Sequence, residues 1–581
     1  MSWRAERESK QRGGLTVEVM LYAAIFGAGL VLRLAALGKW PLLDQEAALA
    51  LDAWRYARGL LDSVRGHSPL LFHVNALLSF LSGGGDAWAR LASVFFGSIL
   101  VLLPYGLRRF LGRLGALAAA LVLALSPSLI YFSWAVDGSI VVSFCALALV
   151  VVVAQTLEGD SSAGLWLIAP LLGLAVASGP LAYSMLAMVA SFVAWLWWTA
   201  RFRPEEAALR ELAVLWERWC AEGQVRWRGV AAVGVLGLGI VFAFGYNPAG
   251  LQMTLDQFGQ WLGAFQVLNM EQWYRLPLLL LVYESLPLAV GIAGMVAARG
   301  QRGLIPRLLR YWFTFALLLS VLPGYRPPSQ VLMVVLPLVL GAAGAMQRLW
   351  DSSGEALRRP LLWALLALSL AAGASVFIHL VGYLTTPVSQ YVLRIAALVV
   401  FAVAAHAFVW TLTGPEVPAG AAVSAALVLL LLFWVRAGVR LNYQRGRDPV
   451  EPMVVAATSP DLLALADRAV ELSSHVAGDA RVLAWQVDQR LEIPLAWYLR
   501  GFESVEYFRS LPADLAGSGV ITPAEVGGPG DYVGLRFVLR STWAAAPASL
   551  TDWLGWWSGK RATLPGQRVD EAVVLWVRPP L

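Results

Sequence analysis

The sequence predicts an α-helical polytopic membrane protein with a smaller water-soluble segment at its C-terminus. Three observations indicate this fold class: long uninterrupted apolar runs, a mean hydropathy of +0.65, and a charged fraction of only 14%. Soluble domains carry about 25% charged residues, and a run of about 20 apolar residues is long enough to cross a bilayer as a helix. The chain of 581 residues has room for many such spans.

The apolar runs predict about 13 transmembrane helices. The predicted spans lie near 17–37, 91–107, 114–132, 139–157, 163–178, 183–200, 229–246, 277–298, 311–323, 330–347, 361–383, 391–411 and 420–436. Lys and Arg concentrate in alternate loops, and positive residues mark the cytoplasmic side. We therefore expect a multi-pass protein of the cytoplasmic (inner) membrane, with its N-terminus cytoplasmic and its C-terminal segment extracytoplasmic.

Two domains are expected. Residues 1–436 form the transmembrane domain, whose first outer loop at about 38–90 is long enough to build a site. Residues 437–581 are more polar and predict a small extracytoplasmic α/β domain. Within it, the periodicity predicts a helix over Ser459–Val476 and strands over Arg481–Val487, Tyr532–Leu539 and Ala572–Val577.

The net charge, the positions of the cysteines and the N-terminal stretch argue against a nucleic-acid partner, a disulfide framework and a cleavable signal. The net charge of +6 is typical of cytoplasmic loops beside anionic lipid, and we expect no nucleic-acid partner. Cys145 falls in a predicted span and Cys220 in a predicted cytoplasmic loop, so no disulfide framework is expected. The charged stretch Met1–Thr16 precedes an apolar run long enough to remain in the membrane, so no cleavable signal is expected.

Acidic residues at the ends of predicted spans are the main functional signal. Asp44 and Glu46 follow the first span, and Asp137 follows the third. All three are expected on the outer side of the membrane. Carboxylates at the mouth of a membrane bundle are costly to desolvate and usually face a cavity or a site. The sequence therefore predicts chemistry at the outer membrane surface.

Several stretches in fixed order carry a resemblance to a known family. They are LDQEA at 43–47, SPLLFH at 68–73, GGDAWARL at 84–91, SPSLIY at 126–131 ahead of Asp137, YRPP at 325–328, and IPLAWYLR at 493–500. In this order they resemble the polyprenyl-phosphate-dependent GT-C glycosyltransferases of the protein O-mannosyltransferase and aminoarabinose-transferase group. The last two stretches resemble a GT-C-like branch, the flippase-activity-associated proteins of prokaryotic N-glycosylation.

The resemblance implies a GT-C-like fold and an inverting hexosyltransferase, mannosyltransferase-like, of the cell envelope. Such an enzyme passes a sugar from a polyprenyl-phosphate donor to a glycan, lipid or protein acceptor, as in protein glycosylation. Asp44 or Glu46 is then expected to be the general base, since a placed carboxylate can activate an acceptor. Asp137 is expected to orient the acceptor, and Arg326 to bind the donor phosphate. If a divalent cation, Mg²⁺ or Mn²⁺, is required, the three carboxylates are its expected ligands.

Two departures from the family pattern keep other functions open. Gln45 separates the acidic pair, which is adjacent in the family, and no arginine precedes Asp137. These departures favour a non-catalytic flippase-associated protein for lipid-linked glycans. A structural subunit of a membrane assembly, with other membrane subunits as partners, is the third possibility.

Each candidate residue also has a structural alternative. Asp44 and Glu46 can be solvated loop charges or a helix cap, and Asp137 can cap the span that follows it. Arg326 can extend its side chain to lipid headgroups. His67 and His73, in the expected substrate loop, invite a metal interpretation with Glu46, but their spacing favours ordinary packing.

Overall fold

The computed structural model describes residues 17–61, 66–159, 164–202, 207–221, 223–241, 247–266, 274–321, 327–353, 358–454, 457–511, 518–559, 561 and 563–578. In this part of the chain, nine helices are long and apolar enough to cross a membrane, or up to eleven if two bent pairs each count as one span. The chain is therefore a multi-pass helical membrane protein.

Helices dominate the chain up to residue 444. The α-helices are Val17–Leu34, Asp44–Ala57, Pro69–Ser82, Asp86–Leu100, Arg108–Leu111, Arg113–Leu125, Pro127–Ser133, Ser139–Glu158, Ile168–Val176, Leu181–Ala200, Ala207–Ala221, Gly223–Leu236, Gly250–Gly263, Arg275–Tyr283, Ser285–Ala297, Leu304–Val321, Val331–Ser353, Pro360–Thr385, Ser389–Thr413 and Glu416–Val439. Short 3₁₀ or π turns cover Leu103–Leu107, Leu165–Leu167, Gly237–Val241, Pro328–Gln330 and Arg440–Gln444.

In the described part of the chain, all thirteen predicted spans fall on helices, but four of them differ from a simple long apolar span; residues 163, 242–246 and 322–323 of the predicted spans lie outside the described residues. The predicted spans 114–132 and 277–298 are each a bent pair of helices, with bends of 55° and 99°. The predicted span 163–178 contains only a short apolar helix. The predicted span 311–323 lies on Leu304–Val321, which carries Arg307 and Arg310 in its first half.

The helix Val331–Ser353 forms the centre of the bundle, and its first thirteen residues are mostly buried. It packs against Ser285–Ala297 through small residues. A Cβ at Gly291 would lie 2.4 Å from the Leu338 carbonyl oxygen, so only glycine allows this approach. Small residues are the usual means by which membrane helices bring their backbones together.

A six-stranded mixed sheet forms the C-terminal part. Its strands are β1 (Ala457–Thr458), β2 (Ala484–Asp488), β3 (Val505–Phe508), β4 (Ser518–Pro523), β5 (Val533–Ala545) and β6 (Gly566–Val577), in the order β1-β5-β6-β4-β2-β3. β2 pairs in parallel with β3 and β4, and the other pairings are antiparallel. The helices are Asp461–Ala477, Glu492–Tyr498 and Leu550–Trp557, with a 3₁₀ turn at Gln489–Leu491. The domain division at residue 436 stays a prediction.

The helix Leu550–Trp557 attaches the sheet to the bundle. Arg440 donates a 2.9 Å hydrogen bond to the Trp556 carbonyl, and Arg436 donates one of 2.7 Å to the Trp557 carbonyl. The Trp556 ring is buried in the bundle core, with the Arg440 guanidinium 4.3 Å from its centre. These contacts hold the sheet at one end of the bundle.

Candidate active site

A cavity of about 370 Å³ lies where the helical bundle meets the sheet. One wall is the segment 36–46, called the first outer segment after the side that the sequence predicts for it. The other walls come from the loop before Ser139–Glu158, the turn at 327–329, the segment after Arg440–Gln444, and strands β1 and β5. The side chains that can carry chemistry there are Asp44, Glu46, Arg90, Tyr131, Asp137, Arg447 and Arg540. The fold thus brings the three sequence-predicted carboxylates to one cavity.

Asp44 is the first residue of the helix Asp44–Ala57, and its carboxylate faces the cavity. Its Oδ2 lies 2.6 Å from Nε of Arg540, which comes from β5. Its Oδ1 is shielded from solvent and has no hydrogen-bond partner within the described residues. Burial raises the pKa of the Asp44 carboxyl, although Arg540 opposes this shift. The carboxylate is thus partly desolvated, as a general base should be.

Glu46, two residues further on, is held from several sides and is only 4% exposed. Its Oε2 accepts hydrogen bonds from the Leu43 N–H (2.9 Å) and from Arg447 (3.1 Å), and its Oε1 accepts one from the Val136 N–H (3.1 Å). Arg90 lies 3.6 Å away. With both oxygens occupied, Glu46 joins the first outer segment to the Asp137 loop. Its predicted catalytic role stays untested, and these contacts favour a positioning role.

Asp137 follows directly in the loop that Glu46 holds. Its Oδ1 accepts hydrogen bonds from the Ser139 N–H (3.0 Å) and the Ser139 hydroxyl (2.5 Å), so it caps the start of Ser139–Glu158. Burial raises the pKa of the Asp137 carboxyl, and the hydrogen bonds from Ser139 oppose this shift. Asp137 therefore combines the capping role with a place in the cavity wall.

Gly138 fixes the position of Asp137. We expect Gly138→Ala to lower activity by about 10²-fold, because a displacement of a reacting group by about 1 Å has an effect of this size. Its φ of +76° is unfavourable for any L-residue with a Cβ, and that Cβ would lie 1.8 Å from the Ser178 carbonyl oxygen. Activity and thermal midpoint are to be compared with Gly173→Ala, where a Cβ meets nothing within 4 Å. Full activity in Gly138→Ala would contradict this role.

Two breaks between helices of the bundle contact each other, and one of them precedes the short helix that leads to Asp137. Ser126 separates one bent pair of helices and Glu284 separates the other. The buried Glu284 carboxylate accepts hydrogen bonds from the Ser126 hydroxyl (2.7 Å) and the Ser128 N–H (2.9 Å). It thereby satisfies one free N–H group at the start of Pro127–Ser133, the short helix that leads to Asp137. The two bends meet at this hydrogen-bonded contact.

The segment 493–500 clamps the first outer segment from the sheet side. Trp497 Nε1 and the Tyr498 hydroxyl donate to the two oxygens of Asp86 at 2.7 and 2.8 Å. The Leu42 N–H donates to the Tyr498 hydroxyl at 2.8 Å. Asp86 begins the helix that carries Arg90. The clamp therefore fixes both the helix that supports Glu46 and the chain just before Asp44.

The two predicted histidines do not line this cavity. His67 Nε2 lies 2.9 Å from the Asp52 carboxylate. His73 contacts the Ile240 carbonyl through Nδ1 (2.5 Å) and Asn247 through Nε2 (3.2 Å). Their predicted part in a substrate loop stays untested. Arg326, the predicted phosphate ligand, lies outside the described residues.

The carboxylates in the cavity do not fit a resident divalent cation. Among the residues that the structure describes, no group of three or more His, Cys, Asp or Glu side chains could hold a metal ion. Both oxygens of Glu46 accept hydrogen bonds from N–H donors, and Asp44 faces a guanidinium. Metal dependence stays a prediction, and no chemical step is derived through a metal.

Sequence reasoning missed three arginines of this cavity: Arg90, Arg447 and Arg540. A signal for Arg90 was present, because it is the arginine of the GGDAWARL stretch. Arg447 and Arg540 are more than 300 residues from the acidic residues in sequence, and no local pattern indicates that they face them. They place positive charge in the wall of the cavity.

Comparison with known proteins supports the fold. No family model and no curated protein sequence matches this chain. The crystal structure of ArnT from Cupriavidus metallidurans bound to undecaprenyl phosphate is similar, with a TM-score of 0.54 and 16% sequence identity over 87% of this chain and 93% of that chain. The apo structure of the same protein gives a TM-score of 0.51 and 15% identity over the same shares. The chain therefore has an ArnT-like fold.

Proposed function

We propose that this protein is an integral membrane glycosyltransferase that takes a sugar from a polyprenyl-phosphate donor. The observation that carries the proposal is the cavity that Asp44 and Asp137 line together with Arg447 and Arg540. An ArnT-like fold supports it, because ArnT was crystallised with undecaprenyl phosphate. A carboxylate base and guanidinium groups in one cavity match the two needs of glycosyl transfer from a lipid phosphate.

The proposed reaction is a single displacement at the anomeric carbon. A hydroxyl or amide of the acceptor attacks that carbon, and the bond from the carbon to the phosphate oxygen breaks. A cavity carboxylate takes the acceptor proton, and the polyprenyl phosphate leaves with the electron pair of the broken bond. Fixed positive groups lower the barrier, because negative charge develops on the leaving phosphate. A single displacement inverts the anomeric configuration.

We assign the base to Asp44 and the orientation of the acceptor to Asp137. Oδ1 of Asp44 is desolvated and has no partner among the residues described, whereas one oxygen of Asp137 already caps a helix. Glu46 is assigned a positioning role, because its oxygens are already occupied. Glycan, lipid and protein all remain candidate acceptors. We place the site at the outer face of the cytoplasmic membrane, as the distribution of positive loop residues predicts.

A donor panel tests this proposal. Purified protein in lipid nanodiscs is incubated with radiolabelled polyprenyl-phosphate sugars and a crude envelope acceptor fraction. We expect one donor to release lipid phosphate and label the acceptor, because the cavity holds both a base and the positive groups that favour leaving-group departure. Asp467→Asn is the control, since Asp467 is an exposed aspartate on the helix Asp461–Ala477 and lies outside the cavity.

The negative outcomes separate the alternatives. Saturable donor binding without turnover would contradict the transferase and favour a flippase-associated protein. Absence of both binding and turnover, together with stoichiometric co-purification of other membrane proteins, would favour a structural subunit.

A further inference from the structure

Arg540 links the sheet to the acidic residue at the centre of the cavity. It lies on β5, opposite Thr458 of β1 and Glu571 of β6. Its Nη1 donates to both oxygens of Glu571 at 3.1 and 2.9 Å, and its Nη2 donates to the Ile493 carbonyl. These bonds hold the two terminal nitrogens of the guanidinium, while its Nε lies next to Asp44.

The contact between Arg540 and Asp44 is close but poorly satisfied. Nε of Arg540 and Oδ2 of Asp44 are 2.6 Å apart, yet the N–H is not aligned for a hydrogen bond. Oδ1 of Asp44 is shielded from solvent and has no partner among the described residues. Native proteins pair nearly all of their buried polar atoms, so two such atoms beside a cavity indicate a polar ligand.

The other two arginines of the cavity are more deeply buried than Arg540. Arg90 donates to three backbone carbonyls and lies beside Glu46, and 2% of its side chain is exposed. Arg447 donates to Glu46, and 7% of its side chain is exposed. Nε of each also has no hydrogen-bond partner among the described residues. Arg540 has 23% of its side chain exposed, so it is the most accessible of the three to an anion that enters the cavity.

We propose that Arg540 binds the phosphate of the lipid donor, and that this phosphate replaces Asp44 as the partner of Arg540. The inference rests on the proposed function, since it takes the donor to be a polyprenyl phosphate. A guanidinium presents N–H groups in a planar fork that matches phosphate oxygens. Asp44 and the phosphate compete for the same cation. Donor binding therefore releases Asp44 from its ion pair and makes it available as a base.

This exchange predicts opposite effects for two neighbouring substitutions. Arg540→Gln removes the cation and weakens binding of the phosphate. Asp44→Asn removes the competing anion and strengthens binding, although the same variant loses turnover. A role of Arg540 in folding alone would not produce this pair of opposite signs.

The experiment measures binding of undecaprenyl phosphate and of undecaprenol to the full chain in phosphatidylcholine nanodiscs. Their affinity ratio isolates the contribution of the phosphate from that of the tail. We expect Arg540→Gln to reduce the ratio by about 10-fold or more, Arg540→Lys to reduce it less, and Asp44→Asn to raise it. Arg568→Gln is the matched control, because Arg568 lies on β6, pairs with Asp570 at 2.7 Å and does not line the cavity.

The outcomes distinguish this inference from the proposed function. A wild-type protein that binds both lipids equally would contradict the proposed function and the inference together. A wild-type protein that prefers the phosphate, with the same preference in Arg540→Gln, would overturn the inference alone. If Arg540→Gln does not fold, Asp44→Asn tests the inference by itself. An unchanged or lowered affinity ratio in that variant would exclude competition between Asp44 and the phosphate for Arg540.

Discussion

Asp44→Asn is expected to lower the rate of sugar transfer by about 10²–10⁴-fold, the usual contribution of a general base. The substitution keeps the shape of the side chain and removes its ability to take a proton. Asp44 is partly desolvated, and its Oδ1 has no partner in the part of the chain that the structure describes, so a functional role explains the site better than a solvated loop charge does. The measurement is kcat for label transfer from the donor identified in the panel.

The pH profile provides a control for this assignment. Because burial raises the pKa of Asp44, wild-type activity should fall with decreasing pH at a value above the ordinary range of aspartate, as the base becomes protonated. The residual rate of Asp44→Asn should lack this decrease. Asp467→Asn should retain both the rate and the pH profile. Wild-type turnover in Asp44→Asn would remove Asp44 from the mechanism.

Arg90→Met is expected to lower the free energy of unfolding by about 3–5 kcal/mol, as is typical when one partner of a buried ion pair is removed. Arg90 is 1% exposed and donates to the carbonyls of Leu37, Trp40 and Pro41 at 2.8–3.0 Å. The substitution leaves those acceptors unpaired and weakens the charge balance around Glu46. Denaturant titration in mixed micelles measures the change.

A matched surface arginine separates this effect from loss of charge in general. Arg113 is 85% exposed and lies 3.9 Å from Glu18, and such pairs contribute about 0–1 kcal/mol. Arg113→Met should therefore leave stability nearly unchanged. Equal stability of Arg90→Met and the wild type would mean that Arg90 does not hold the first outer segment in place.

Most spans were predictable because a bilayer demands long apolar helices. In the described part of the chain, nine predicted spans coincide with a candidate membrane-spanning helix and two with a bent pair, whereas 163–178 and 311–323 coincide with neither. The bends were less visible. The Ser126-Pro127 pair is a recognisable signal for a helix end, since proline favours the first turn of a helix. A similar signal, Pro287 in the first turn of Ser285–Ala297, follows the bend at Glu284, but no local signal indicates the contact between Glu284 and Ser126.

In the candidate site, the sequence predicted the carboxylates but not the arginines. Asp44 and Asp137 follow spans that run in the same direction, so their placement at one end of the bundle follows from topology. The basic half depends on tertiary structure. Arg540 reaches Asp44 because of the register of β5 against β1 and β6, and no local pattern encodes that register.

The most direct test of the central claim is a cryo-electron microscopy structure of Asp44→Asn in lipid nanodiscs with a bound polyprenyl-phosphate sugar. We expect the phosphate beside Arg540 in the 370 Å³ cavity, with the anomeric carbon facing residues 44 and 137. A donor bound instead in the 580 Å³ cavity lined by Glu158, Arg310 and Arg348 would contradict the proposed site.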